Sequence, residues 1–87
     1  MRTVQKFPLV EGESKVKIPT MSDVFGAVVE NGIIIALAEV DTEDNEVTER
    51  AFLVVKTNVD MNMDMVLNMV ACIILPDGSA GTVFEIV

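Results

Sequence analysis

The sequence predicts an all-β protein, either a small antiparallel sandwich or a barrel-like meander of about six to seven strands built from hairpins, with at most one short helix. The strongest observation is Asn31-Gly32, which separates two runs rich in β-branched residues, Val24–Glu30 and Ile33–Val40. Asn-Gly favours a tight hairpin because both turn positions need a positive φ. A second turn sequence, Pro76–Ser79, joins two further apolar runs and predicts another hairpin.

The remaining segments are assigned from their patterns. Thr3–Phe7 predicts a first strand that ends at Pro8, and Ser14–Ile18 alternates polar and apolar residues, as a half-exposed strand does. Glu49–Thr57 predicts a strand that pairs back onto the preceding one. In the segment 58–70, Asn or Asp alternates with Val or Met over residues 58–65, which favours a strand, but methionine prefers helix. We predict an irregular segment or a short helix there.

Length and hydrophobicity together predict a single domain over residues 1–87 that self-associates. A chain of 87 residues buries only about 60–65% of its unfolded surface, yet 51% of its residues are hydrophobic. The runs Ile33–Ala38 and Phe52–Val55 are apolar on both sides, which is typical of strands covered on both faces. Because no helix is available as the second cover, we expect a homo-oligomer.

The net charge of the chain restricts the classes of partner that we expect. Fourteen acidic and six basic residues give a formal charge of −8, which disfavours direct contact with nucleic acid or with an anionic membrane. A protein partner with a basic surface fits this charge better.

No apolar run approaches the ~18 residues of a spanning helix, no signal-peptide stretch is present, and the lone Cys72 rules out an internal disulfide. We therefore expect a cytoplasmic protein, in the host cell cytoplasm if it is phage-encoded.

The residues also argue against an enzyme. There is no histidine, the commonest general base and metal ligand. Cys72 lies in an apolar run, so we expect a buried, inert thiol. Asp60, Asn62 and Asp64 imitate the start of a calcium loop, but the glycine and the closing glutamate that such a loop needs are missing. We predict no catalytic residue, no metal site and no cofactor.

Two segments are candidate partner contacts. The first segment is acidic, and its alternative interpretation is a hairpin tip exposed to solvent. The other is rich in methionine, whose flexible side chain suits either core filling or an adaptable binding surface. The candidate residues are Asp41, Glu43, Asp44 and Glu46 in the acidic segment and Met61, Met63 and Met65 in the methionine segment.

The order of several short motifs resembles a known family. The motifs are Thr3–Leu9, Val16–Pro19, the Asn31-Gly32 hairpin, Ala36–Asp41, Arg50–Thr57 and Val83–Glu85. Together they resemble an uncharacterised family of small all-β proteins from tailed bacteriophages and prophages. The resemblance implies a phage origin and a β fold, and it brings no catalytic residues with it. The chain departs from the family at Leu37, where an aromatic residue is common, and at Thr82 or Val83, where a histidine is common.

These observations favour a non-catalytic, self-associating binding protein that acts through protein–protein contact, as small inhibitors and anti-defence or host-takeover factors do. An alternative is a protein that sequesters a small ligand or nucleotide signal at a subunit interface, which requires the basic residues to converge. Those residues are Arg2, Lys6, Lys15, Lys17, Arg50 and Lys56. A further alternative is a minor virion or assembly component.

Overall fold

A computed structural model describes residues 1–62 and 64–87, and it confirms the all-β prediction with seven antiparallel strands. The strands are β1 (Arg2–Leu9), β2 (Gly12–Pro19), β3 (Asp23–Glu30), β4 (Ile33–Asp41), β5 (Val47–Lys56), β6 (Leu67–Ile74) and β7 (Ala80–Ile86). None of the described residues is helical, so of the two alternatives predicted within 58–70 the short helix is wrong, and the irregular segment is confirmed for the described residues up to Val66. The described part of 57–66 is turn and loop, and β6 begins at Leu67.

The strands form two sheets that pack face to face as a sandwich and do not close into a barrel. The first sheet has the order β1-β4-β3 and the second the order β2-β5-β7-β6. The predicted pairing of β5 with the preceding strand is wrong, because both edges of β4 are occupied by β1 and β3. β5 instead pairs with β2 and β7.

One hydrophobic cluster joins the two sheets. Ile34 and Ala36 of β4 pack with Phe52 and Val54 of β5 and with Val83 of β7, and all five are at most 5% exposed. These residues occupy alternate positions, as a pleated strand requires when one face is buried. The intervening apolar residues of β4 and β5 therefore lie on the outer faces of the sandwich.

The turns follow the predicted chemistry at both hairpins. Asn31 and Gly32 have φ values of 51° and 77°, the positive pair that the tight turn needs, and Gly78 has a φ of 88°. β1 continues beyond its predicted end at Pro8 to Leu9. Proline is accepted there because β1 is an edge strand, so one side of its backbone has no ladder to complete.

The connection between β5 and β6 runs the length of the second sheet. Both strands are antiparallel to β7, which lies between them, so residues 57–66 must return from one end of the sheet to the other. The connection starts near the outer side of the sheet, since Val55 alternates with the buried Val54. Val59, early in the connection, lies beside Val55 and Gly12, where the three line one shallow depression.

Candidate interaction surface

The outer face of the first sheet is an apolar surface, here called the first-sheet face. The register places Ile35 of β4 between Pro8 and Val28, and Leu37 between Lys6 and Gly26. Its apolar members are Val4, Pro8, Phe25, Val28, Ile33, Ile35 and Leu37. Three of them are about half exposed, at 53% for Val4, 52% for Phe25 and 49% for Ile33.

A β-bulge places Phe25 on this face. The pairing of β3 with β4 shifts between Val24 and Gly26, so Phe25 is the extra residue. Val24 packs against the core while Phe25 stays exposed. Gly26 follows on the outer side, beside Leu37. A bulge changes the direction of a side chain in this way, and here it leaves the aromatic ring of Phe25 exposed to solvent.

Two ion pairs cross the first-sheet face. Lys6 Nζ on β1 donates to Glu30 Oε1 on β3 at 2.8 Å, so the two side chains meet above the central strand. Arg2 Nη1 lies 2.6 Å from Glu39 Oε1. The two pairs give the face a net charge of zero from its bridged residues, while the aliphatic stem of Lys6 covers apolar surface beneath it.

The outer face of the second sheet, here called the second-sheet face, also carries apolar side chains. Its apolar or small members over β5, β7 and β6 are Ala51, Leu53, Val55, Thr82, Phe84, Ile86, Leu67, Met69, Cys72 and Ile74. The members on β5 and β7 are half-buried, and the exposed ones lie on the edge strand β6, where Met69 is 68% and Ile74 64% exposed.

Cys72 is on this second face and is exposed, so the prediction of a buried thiol is wrong. Its neighbours Ala71 and Ile73 pair with Val83 and Gly81 on the core side. In an apolar run such as Val70–Leu75 the composition does not reveal which alternate positions face the core. The thiol points outward because of the strand register.

The acidic segment forms the turn between β4 and β5. Asp41 Oδ1 accepts a hydrogen bond from the backbone N–H of Glu43 at 3.0 Å, which lowers the pKa of the Asp41 carboxyl. Asp44 accepts from the backbone N–H of Glu46 at 3.0 Å and from that of Met21 at 3.1 Å. These two aspartates therefore shape the turn, whereas Glu43 and Glu46 are exposed. A contact with a basic partner at this end stays a prediction.

The methionine segment lies on the return connection of the second sheet. Met61 is 41% exposed and Met65 is half-buried. Met63, the third predicted contact residue, lies outside the described residues. Met65 therefore fits the core-filling interpretation better than Met61 does.

The basic side chains do not converge on one site. Arg50 makes two hydrogen bonds to Glu85, both at 2.6 Å, and a third to the Ser22 carbonyl oxygen at 2.9 Å. The bonds to Glu85 raise the pKa of Arg50. Lys56 lies at the other end of the sandwich, 2.8 Å from Asp77. Arg2 and Lys6 are bridged on the first-sheet face, and Lys15 and Lys17 project from β2.

An apolar pocket of about 500 Å³ opens at the end of the sandwich near the Asn31-Gly32 turn. Leu9, Ile34 and Leu75 are among its lining residues, together with the carboxylates Glu11 and Asp77. Lys56 lies 2.8 Å from Asp77 and 3.9 Å from Glu11. With two carboxylates to one ammonium, this pocket is unsuited to phosphate.

The three serine hydroxyls, all among the described residues, are either bonded within their turn or buried. Ser79 Oγ donates to Asp77 Oδ1 at 2.6 Å within its own turn. The Oγ atoms of Ser14 and Ser22 are buried and have no hydrogen-bond partner. Among residues 1–62 and 64–87, no three acidic or cysteine side chains are grouped closely enough to hold a metal ion.

Comparison with protein-family models, curated proteins and solved structures finds no match to this chain. Within the described residues, no helix has the length and apolar character needed to cross a membrane. The two outer faces are therefore the features from which a function can be argued. Sequence patterns indicated such surfaces through the two-sided apolar runs, but they did not identify Val4 or Phe25 as members.

Proposed function

We propose that this chain is a non-catalytic binding protein that forms a reversible homodimer through the first-sheet face. The observation that carries the proposal is that Val4, Phe25 and Ile33, one on each strand of the sheet, are each about half exposed on the same outer face. Contiguous apolar surface rimmed by polar residues is typical of a protein contact site. Its burial in a dimer removes this surface from water.

The first-sheet face is open because of its connections. Among the described residues, the links that leave β1, β3 and β4 are two to five residues long and stay at the strand ends. The long connection, 57–66, belongs to the second sheet. Cover for the first-sheet face must therefore come from another molecule.

The area fits a weak dimer. Three strands spaced about 4.8 Å apart, each about 26 Å long, present roughly 400 Å² per copy. Two copies together bury roughly 800 Å², which is below the standard size of stable complexes and in the range of transient ones. A Kd on the order of 10 μM to 1 mM is expected for such a contact.

Charge favours a second copy as the occupant. The chain carries a formal charge of −8, so most approaches between two copies are repulsive. On the first-sheet face, however, Arg2 is paired with Glu39 and Lys6 with Glu30. Asp23 and Asp41 on the same side leave this face with a smaller negative excess than the chain as a whole.

The absence of catalysis is supported by the side chains present. The sequence lacks histidine, and Ser79 is engaged in its turn. The exposed Cys72 lies on an apolar face, where an activating basic group is not at hand. Binding without turnover is the activity that these residues support, in agreement with an inhibitor-type role for a phage-type protein.

Thiol protection tests this proposal, and the chain supplies its own control. Val4→Cys in a Cys72→Ser background places one thiol on the first-sheet face, while the native chain carries one on the second-sheet face. We expect the Val4→Cys thiol to react with a small disulfide reagent about twofold more slowly at a chain concentration equal to the Kd, and about tenfold more slowly at roughly fifty times the Kd, than at high dilution.

The native Cys72 thiol should react at the same rate throughout that range. A Val4→Cys rate that does not change with concentration contradicts the proposal. Protection of Cys72 instead would assign the contact to the second-sheet face.

A further inference from the structure

We propose that the apolar pocket near the Asn31-Gly32 turn is a second binding site, whose occupant is a bulky apolar side chain of a basic protein. Glu11 on the rim pairs with a lysine or arginine that flanks this side chain in the partner. All of the lining residues belong to one chain. The inference therefore goes beyond the proposed dimer and does not depend on it.

The floor of the pocket is core surface to which both sheets contribute. Leu9 ends β1 and Ile34 belongs to β4 of the first sheet, while Leu75 directly follows β6 of the second. All three are at most 5% exposed. Leu75 packs so closely on Gly81 that a Cβ at that glycine would lie 2.8 Å from Leu75 Cγ. The floor is thus already packed, and an occupant can cover it without a change in the fold.

Turns on three sides form the walls of the pocket. They are Val10-Glu11 between β1 and β2, Asn31-Gly32 between β3 and β4, and Pro76–Ser79 between β6 and β7. The third turn is closed by a hydrogen bond from the backbone N–H of Leu75 to the carbonyl oxygen of Ser79 at 2.7 Å. Walls built from short turns are preorganised, so little conformational entropy is lost when an occupant enters.

The exposed apolar surface of the site lies on these walls. Val10 is 59% exposed, Ile33 is 49% exposed, and Pro76 on the third turn is exposed as well. All three line the same volume of about 500 Å³, which is large enough for a phenylalanine or leucine side chain. A bulky side chain buried in a pocket is the kind of contact that anchors protein interfaces.

The rim holds one carboxylate that accepts no hydrogen bond from the described residues. Asp77 accepts from Lys56 Nζ at 2.8 Å and from Ser79 Oγ at 2.6 Å. Glu11 lies 3.9 Å from the same Nζ, beyond hydrogen-bonding distance. Because Lys56 balances Asp77, Glu11 leaves the rim with one net negative charge. This charge favours an occupant that carries a cation next to its apolar group.

The exposure of the rim favours a side chain of a protein over a free small molecule. Small-molecule sites bury about 70–90% of their ligand, whereas Val10, Glu11 and Asp77 are all more than half exposed at the mouth of this pocket. An occupant that continues as a polypeptide covers this rim with its neighbouring residues. A second copy is disfavoured here, because its formal charge of −8 opposes approach to a carboxylate.

Peptide titration tests the site, with the blocked peptide Lys-Lys-Phe-Lys-Lys as the probe and ¹H–¹⁵N NMR spectra of the native chain as the measurement. We expect a Kd on the order of 0.1–1 mM, with the largest changes in chemical shift at the amides of Glu11, Gly32 and Leu75. Alanine in place of the phenylalanine keeps the charge of the peptide and removes its anchor, and should weaken binding at least about tenfold. Glutamates in place of the lysines should abolish binding.

Two variants examine the wall and the rim separately. Val10→Ser removes apolar surface from a wall and Glu11→Gln removes the charge of the rim, so each should weaken binding of the probe about three- to fivefold. Val47→Ser and Glu46→Gln make the same changes at exposed positions at the other end of the sandwich. These controls should stay within about 1.5-fold of the native Kd.

Equal binding of the alanine peptide, or equal losses for the pocket variants and their controls, would show that charge alone attracts the probe and would overturn the inference. Phenethylamine carries a ring and a cation without a polypeptide, and we expect its Kd to lie at least about tenfold above that of the probe. Equal binding of phenethylamine would show that a protein is the wrong occupant. Val10 and Glu11 lie outside the first-sheet face, so this result and that of the dimer are obtained independently.

Discussion

The two outer faces of the sandwich both carry apolar side chains, but the long connection of the chain belongs to only one of the two sheets. Each belongs to a sheet whose central strands are apolar on both sides. On the second-sheet face the side chains of β5 and β7, such as Leu53 and Phe84, are half-buried, and the long connection of that sheet starts beside Val55 at Val59. On the first-sheet face, which belongs to a sheet with short connections, Ile35 and Leu37 of the central strand are likewise half-buried, and Phe25 on the edge strand is 52% exposed. A face that its own chain covers stays part of the monomer surface, whereas a face without such cover is available to a second molecule.

Both outer faces exist only while the two sheets stay packed, and the hydrogen bonds of Arg50 stabilise that packing. It bridges Glu85 on β7 and the Ser22 carbonyl oxygen before β3, and Arg50 and Glu85 are only 21% and 18% exposed. Arg50→Ala leaves the Glu85 carboxylate half-buried without a partner. We expect a loss of about 2 kcal/mol in the free energy of unfolding, a value reduced for the remaining exposure.

Chemical denaturation measures this loss. The double variant Arg50→Ala/Glu85→Ala should recover part of it, because no uncompensated charge is left. By contrast, Arg2→Ala removes an ion pair on the first-sheet face and should cost at most about 0.5 kcal/mol. Equal losses for Arg50→Ala and Arg2→Ala would contradict this account of the interior pair.

Phe25→Lys separates the two faces directly. A charge at this position must be desolvated when the first-sheet face is covered, so we expect the dimer Kd to rise about 30-fold. Because Phe25 is about half exposed in one chain, its replacement should change folding stability little. Met69→Lys is the matched control on the second-sheet face and should leave the Kd within about threefold. Sedimentation velocity measures both, and equal effects would remove the distinction between the faces.

Met65→Ala tests whether the return connection covers the second sheet. Met65 is half-buried, so truncation should cost about 1 kcal/mol in unfolding free energy, less than at a fully buried site. Met61→Ala, in the same connection at 41% exposure, should stay within about 0.5 kcal/mol. If thermal unfolding shows no difference between the two variants, the connection does not pack on the sheet.

The smallest expected effect is that of pH. A hydrogen bond from Lys56 lowers the pKa of Asp77, so its stabilising effect is present above the unfolded pKa of about 3.9 and is lost as the pH falls through the lowered value. The same bond raises the pKa of Lys56, so that effect is present below about pH 10.4 and is lost at higher pH.

Unfolding midpoints in urea should therefore be level between about pH 5 and 9, because both windows lie outside this range. Asp77→Asn should remove the part of the acid-side decline that belongs to this pair. A marked slope in the neutral range would show that another group controls stability.

Local chemistry made much of the fold predictable from the sequence. The Asn31-Gly32 turn specifies its own hairpin because few residues adopt two successive positive φ values. The partners of β5 were not predictable in this way, since pairing with β2 and β7 joins residues 25 to 42 positions apart. Nothing in the local pattern of Phe52–Val55 encodes that choice.

The candidate surface was predicted only in outline. Two-sided apolar runs indicated that some face needed a cover, but Cys72 shows how such runs hide which positions point outward. Phe25 reaches its face through a bulge that breaks the alternation, so no period in the sequence could assign it. The ion pair between Lys6 and Glu30, which are 24 residues apart in the sequence, likewise depends on β1 and β3 flanking the same strand.

Sedimentation equilibrium of the native chain tests the dimer most directly. We predict that the weight-average mass rises with concentration, in the micromolar to millimolar range, from the 9.5 kDa of one chain toward twice that value, and that Phe25→Lys stays near the lower value. A native chain that keeps the mass of one copy throughout that range would show that the first-sheet face remains in water, and would contradict the account.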